Sequence, residues 1–135
     1  MAAGYSKNPL RVKLGIKPGM KVRFLNAPPP YAKLLGNLPE GVSVARTTRG
    51  PLDFIHFFTT SIAELNRELP ALKEHLAKDG MLWVSWPKKT SAMAAGFGEN
   101  EVRDEGLAAG LVDVKVCAVD DDWSGLKFVY RTKDR

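Results

Sequence analysis

Asn26, Thr47, Thr59, Thr60, Trp86, Lys88 and Lys89 are the residues whose types and positions could do chemistry together. Each falls at or just past the end of an expected extended segment, where it gives way to a turn. Amides, hydroxyls and ammonium groups gathered this way donate hydrogen bonds to a small anion or a nucleotide phosphate. Helices opening right after the first and third runs would add their positive dipole ends. A plainer assignment stands beside this one: Thr60 and Ser61 cap a helix, and Lys88 and Lys89 are solvated loop charges. The sequence leaves both open.

Catalysis finds less support. Covalent hydrolysis needs a nucleophile with a base in reach and a third group to orient it. Cys117 alternates with Val116 and Ala118 in an extended run and reads as a core thiol. His56 sits within an apolar run and His75 beside Leu72 and Leu76 on a helix, so both read as structural. No serine occupies a G-x-S-x-G turn. Two separated histidines and one cysteine make no zinc site, and Asp120-Asp121-Asp122 lacks the alternating acids and closing Glu of a calcium loop. That run reads as a charged hairpin tip. Trp123, an aromatic in a polar loop, is expected either to anchor the loop on the sheet or to form an interface. The small residues from Lys88 to Gly98 suit either a lid or a plain connection.

The elements that must position these residues follow from hydrophobic period and turn chemistry. Residues 1–19 read as a lead-in and a short helix, with Ser6 as its cap, Pro9 in its first turn, and Gly15 and Pro18-Gly19 as its stop. Strands are expected at Lys21–Asn26, Val42–Arg46, Leu52–Phe58, Met81–Trp86, Val112–Val119 and Leu126–Arg131. Helices are expected at Tyr31–Leu38, from Ser61 with capping-box spacing to Glu64, from Pro70 as a separate segment closed by Asp79-Gly80, and at Glu99–Ala109. Alternating strands and helices specify an α/β domain spanning residues 1–135. It has three layers and a mostly parallel sheet of about six strands, ending in an antiparallel hairpin.

Composition bounds the rest. The chain has 135 residues, 44% hydrophobic and 26% charged, which suits one folded domain. A single cysteine and an N-terminus without an apolar core lead to the expectation of a cytoplasmic protein. Nine of the 20 Lys and Arg lie in the first 50 residues against the single acid Glu40. Such a basic end could draw nucleic acid, although Tyr5 and Tyr31 alone are available to stack on bases.

The order of elements resembles the methyltransferase version of the Rossmann fold. Leu72 to Lys88 (LKEHLAKDGMLWVSWPK) looks like that family's helix, turn and fifth strand. Leu111 to Arg131 looks like its closing segment, whose last strand inserts antiparallel. A closer resemblance, along nearly the whole chain, is to a small bacterial family of uncharacterised proteins that share a domain of unknown function. It rests on LGIKPGMKVRFLNAP, WPKK and LVDVKVCAVDDDWSGLKFVYR. These resemblances imply a fold and no mechanism. Methyltransferases cradle adenosylmethionine with a glycine-rich turn after the first strand and an acid after the second. Here the first turn is Asn26-Ala27-Pro28-Pro29-Pro30, whose prolines remove three backbone donors, and the second strand ends Ala45-Arg46-Thr47-Thr48. The expectation is therefore a non-catalytic domain that binds a small anion or nucleotide and takes no cofactor, adenosylmethionine included. The rival expectations are a protein–protein or homo-oligomeric module working through the hairpin and Trp123, and weak nucleic-acid binding by the basic third.

Overall fold

Apolar residues on both faces of an extended run need cover on both sides, and the segment from Leu52 to Phe58 is such a run. The computed structural model describes residues 9–135, and the cap expected at Ser6 lies outside them. The chain runs α1 (Leu10–Leu14), β1 (Lys21–Leu25), α2 (Pro30–Leu35), β2 (Ser43–Val44), β3 (Leu52–Phe58), α3 (Ile62–His75) and β4 (Leu76–Pro87). It continues with α4 (Glu99–Ala108), β5 (Leu111–Ala118), β6 (Trp123–Tyr130) and a short 3₁₀ turn at Thr132–Asp134. Six strands form one sheet in the order β2-β1-β3-β4-β6-β5. β2, β1, β3 and β4 are mutually parallel, and β6 joins antiparallel between β4 and β5.

Side-chain alternation divides the core between the two faces. Ile55 and Phe57 of β3 join Leu82, Val84 and Trp86 of β4 under Leu65, Leu69 and Leu72 of α3 and Val102 of α4. Phe54, Phe58 and Trp83 point the other way, under Leu10 and Leu14 of α1 and Tyr31 and Leu35 of α2. The Trp83 indole donates to the Leu14 carbonyl (2.9 Å), tying α1 down. Gly106 lies where α4 crosses β6, and a Cβ there would stand 2.0 Å from the Phe128 ring. Only a residue without a side chain allows that crossing.

The structure departs from the sequence expectations in several places. The strand expected at Val42–Arg46 keeps only Ser43–Val44, and the helix expected to reach Leu38 ends at Leu35. Three further differences have a clear cause. Pro70 begins no separate helix; it lies inside α3, on the exposed side. Buried Leu65, Leu69 and Leu72 hold the helix to the sheet on both sides of it, and that burial outweighs one lost backbone hydrogen bond. Asp79-Gly80 ends no helix either. β4 already pairs at Leu76, opposite Leu52, before an irregularity restores the register at Met81 opposite Phe54. The last strand starts at Trp123 rather than Leu126, because Asp120 Oδ1 accepts the amides of both Asp122 and Trp123 at 2.8 Å and turns the chain early. No helix among the described residues is long and apolar enough to cross a membrane.

Candidate functional site

From β1 the chain moves to β2 on one side of the sheet, and β3 pairs with β1 on the other. α2 and α3, which follow β1 and β3, pack on opposite faces. Strand tips that part in this way open a crevice at the carboxyl edge, where ligands of open α/β sheets sit. Here it is a small cavity of about 230 Å³, lined by Asn26, Phe58, Thr59, Thr60, Glu64 and Trp123.

Local chemistry fixes each of its polar groups. Asn26 takes the left-handed conformation at φ 58°, which asparagine tolerates better than most residues. Its side-chain amide donates to the Phe58 carbonyl (3.2 Å), linking the tips of β1 and β3. Ser61 caps α3 by accepting the Glu64 amide at 3.1 Å. The expected return bond from Glu64 is absent. Thr59 Oγ1 instead accepts the Ser61 amide (3.0 Å) and donates to Glu64 Oε1 (2.6 Å). That bond holds the Glu64 carboxylate in the crevice, and its second oxygen remains an acceptor.

The seven residues singled out from the sequence do not form one site. Asn26, Thr59 and Thr60 meet in the crevice. Trp86, Lys88 and Lys89 line a different cavity of about 440 Å³, together with Ser124 and the first turn of α4, Glu99 to Glu101. Thr47 is exposed in the loop after β2 and does not reach the crevice; its neighbour Thr48 accepts from Arg23 Nε (3.4 Å). Trp123 needs correction as an interface residue. It is 6% exposed, and its ring meets Phe58 edge-on at 5.3 Å, so it anchors the start of β6 and walls the crevice. Much of the basic N-terminal third is engaged internally. Arg11 donates to the Leu35 carbonyl, Lys13 to Ala118 and Arg23 to Ala45.

Two features escaped the sequence. Glu64 read only as a helix-capping residue, and nothing local shows that Thr59 redirects it. The other is a buried relay: Tyr31 Oη to His56 Nδ1 at 2.7 Å, and His56 Nε2 to Ser85 Oγ at 2.7 Å. A serine on a histidine has the spacing of a nucleophile and its base, yet His56 and Ser85 are both 0% exposed and no substrate reaches them. Burial drives the His56 pKa down to about 3, keeping the ring neutral, and pushes the Tyr31 phenol above its ordinary range. No three His, Cys, Asp or Glu residues among the described ones converge as metal ligands.

No protein-family model matches the chain, and no curated protein matches it by sequence. Solved structures do match by fold. A SAM-dependent methyltransferase from Aquifex aeolicus superposes with a TM-score of 0.60 at 18% identity, covering 90% of this chain and 93% of that one. The N-methyltransferase NodS from Bradyrhizobium japonicum gives 0.59 at 14%, covering 89% and 90%. A TehB-like SAM-dependent methyltransferase from Corynebacterium glutamicum gives 0.55 at 10%, covering 96% and 91%. The fold is therefore the methyltransferase type of Rossmann-like sheet. These likenesses also overturn the expectation of no cofactor. Two of the matched proteins are described as SAM-dependent and the third as an N-methyltransferase.

Proposed function

We propose that the chain binds a ligand of the adenosylmethionine class in the crevice between the tips of β1 and β3. The observation that carries this reading is the Glu64 carboxylate, held there by Thr59 beside Asn26 and Thr60, with no Lys or Arg in the lining. Such a donor set suits a cationic ligand better than a phosphate. Adenosylmethionine bears a sulfonium and an ammonium, and when bound it supplies an electrophilic methyl group. Asn26, Thr59, Thr60 and Glu64 would hold its methionine half. The prolines at 28, 29 and 30 leave this grip to side chains rather than to a cradle of backbone amides.

Titration calorimetry tests the reading. Adenosylmethionine should bind more tightly than ATP, and Glu64→Gln should weaken it by about tenfold, roughly 1.4 kcal/mol. Adenosylhomocysteine, which has no sulfonium, should lose less. An absence of adenosylmethionine binding, or a Glu64→Gln variant with unchanged affinity, would refute the proposal.

A second reading attaches to the cavity at Trp86, Lys88 and Lys89. Its two ammonium groups would hold a small anion there, sharing the lining with the carboxylates of Glu99 and Glu101 in the first turn of α4, where Glu101 already accepts the Gly98 amide.

A further inference from the structure

On the α2 face of the sheet lies a second kind of cavity, an apolar groove of about 430 Å³. Its walls include Phe24, Pro28, Tyr31, Leu35, Leu38 and Val44, and no charged side chain is among its lining. The Tyr31 hydroxyl is committed to His56, and its ring, 2% exposed, closes the floor of the groove. β2 has two residues, which leaves Val44 at the edge of the sheet 52% exposed and the groove open beside it.

One cation stands beside the lining residue Gly36, outside the lining itself. Gly36 lines the groove, and a Cβ on Gly36 would lie 3.2 Å from Arg11 Nη1. Arg11 is half-buried and gives one donor to the Leu35 carbonyl at 3.1 Å. A guanidinium has five N–H donors, so others remain for an anion. Residues 9–50 carry eight Lys and Arg against Glu40 alone, and this part of the surface favours negative charge.

We propose that this groove binds a small amphipathic monoanion, an apolar chain or ring with a carboxylate head, its body on Phe24, Tyr31 and Val44 and its head at Arg11. The volume falls within the range of roughly 300–1,000 Å³ typical of small-molecule sites. A protein partner would need about 800 Å² of matching surface. Among the groove and its immediate flank, Val44 and Leu34 are the large hydrophobics that stand exposed, which is too little for such a contact.

Calorimetry with octanoate, octanol and octylamine tests the site. Octanoate should bind about tenfold more tightly than octylamine, a gap that Arg11→Gln closes while octanol binding stays unchanged. Ala32→Phe, which fills the groove from the exposed side of α2, should abolish binding of all three; circular dichroism checks that both variants fold. Glu64→Gln should leave octanoate binding intact, which separates this site from the crevice. The proposal fails if octanoate does not bind, if octylamine binds as well, or if Ala32→Phe binds octanoate normally. It also fails if light scattering shows a dimer that Ala32→Phe dissociates, because a second copy would then fill the groove.

Discussion

Acidifying the solution from pH 7.5 to pH 5 should destabilise this fold through one side chain. His56 is fully buried between Tyr31 and Ser85, stacks on Phe58 at 4.1 Å between ring centroids, and has its pKa lowered to about 3. In the unfolded chain a histidine titrates near 6.5. Below that value the unfolded state takes up a proton that the folded state refuses, so stability falls with pH until the folded ring itself protonates near 3. At pH 5 the gap is about 1.5 pH units below the unfolded pKa, which corresponds to about 2 kcal/mol lost relative to pH 7.5. Denaturant unfolding of the wild type and of His56→Gln at both pH values isolates this contribution, since other titrating groups are common to the two proteins. The wild type should lose about 2 kcal/mol more than the variant. Where the variant proves too unstable to compare, imidazole resonances in the wild type give the same answer: the His56 ring should not titrate between pH 8 and pH 5. Equal pH dependence of the two proteins, or a His56 midpoint near 6.5, would refute the claim that burial keeps this ring neutral.

Other consequences follow from single contacts. Gly106→Ala forces a methyl into the Phe128 ring and should cost on the order of 1–3 kcal/mol by thermal or chemical unfolding. Thr59→Val removes the acceptor of the Ser61 amide and frees Glu64; it should destabilise the protein by about 1–2 kcal/mol and weaken adenosylmethionine binding as well. Trp83→Phe leaves the Leu14 carbonyl without its indole donor and should cost about 1–3 kcal/mol, with faster amide exchange in α1 as its local signature. Replacing Lys88 and Lys89 together by alanine should abolish any phosphate binding measured at the second cavity and leave adenosylmethionine affinity unchanged.

Local chemistry was enough to place most of the elements. The apolar run Leu52–Phe58 is a strand with the expected bounds, Gly15 stops α1 in a left-handed cap, and Ser61 opens α3 through its own hydroxyl. Each of these depends on residues within a turn or two of one another, so their order along the chain contains the needed information. The parallel sheet with its antiparallel end was legible for the same reason, since alternating strands and helices admit few arrangements. Failures came where a distant partner decided the outcome. Pro70 sits inside a helix because leucines pack across the sheet, and Leu76 is already in a strand because Leu52 lies opposite. Asn26, Thr59 and Thr60 shared a site only once β1 and β3 were neighbours, and the same topology sent Lys88 and Lys89 to another cavity. Glu64 turned from a cap into a held carboxylate through one hydroxyl, and His56 met Tyr31 and Ser85 across 25 and 29 residues of chain. Types and spacing along a chain determine local conformation; which polar groups then face one another is decided by packing between elements far apart in sequence.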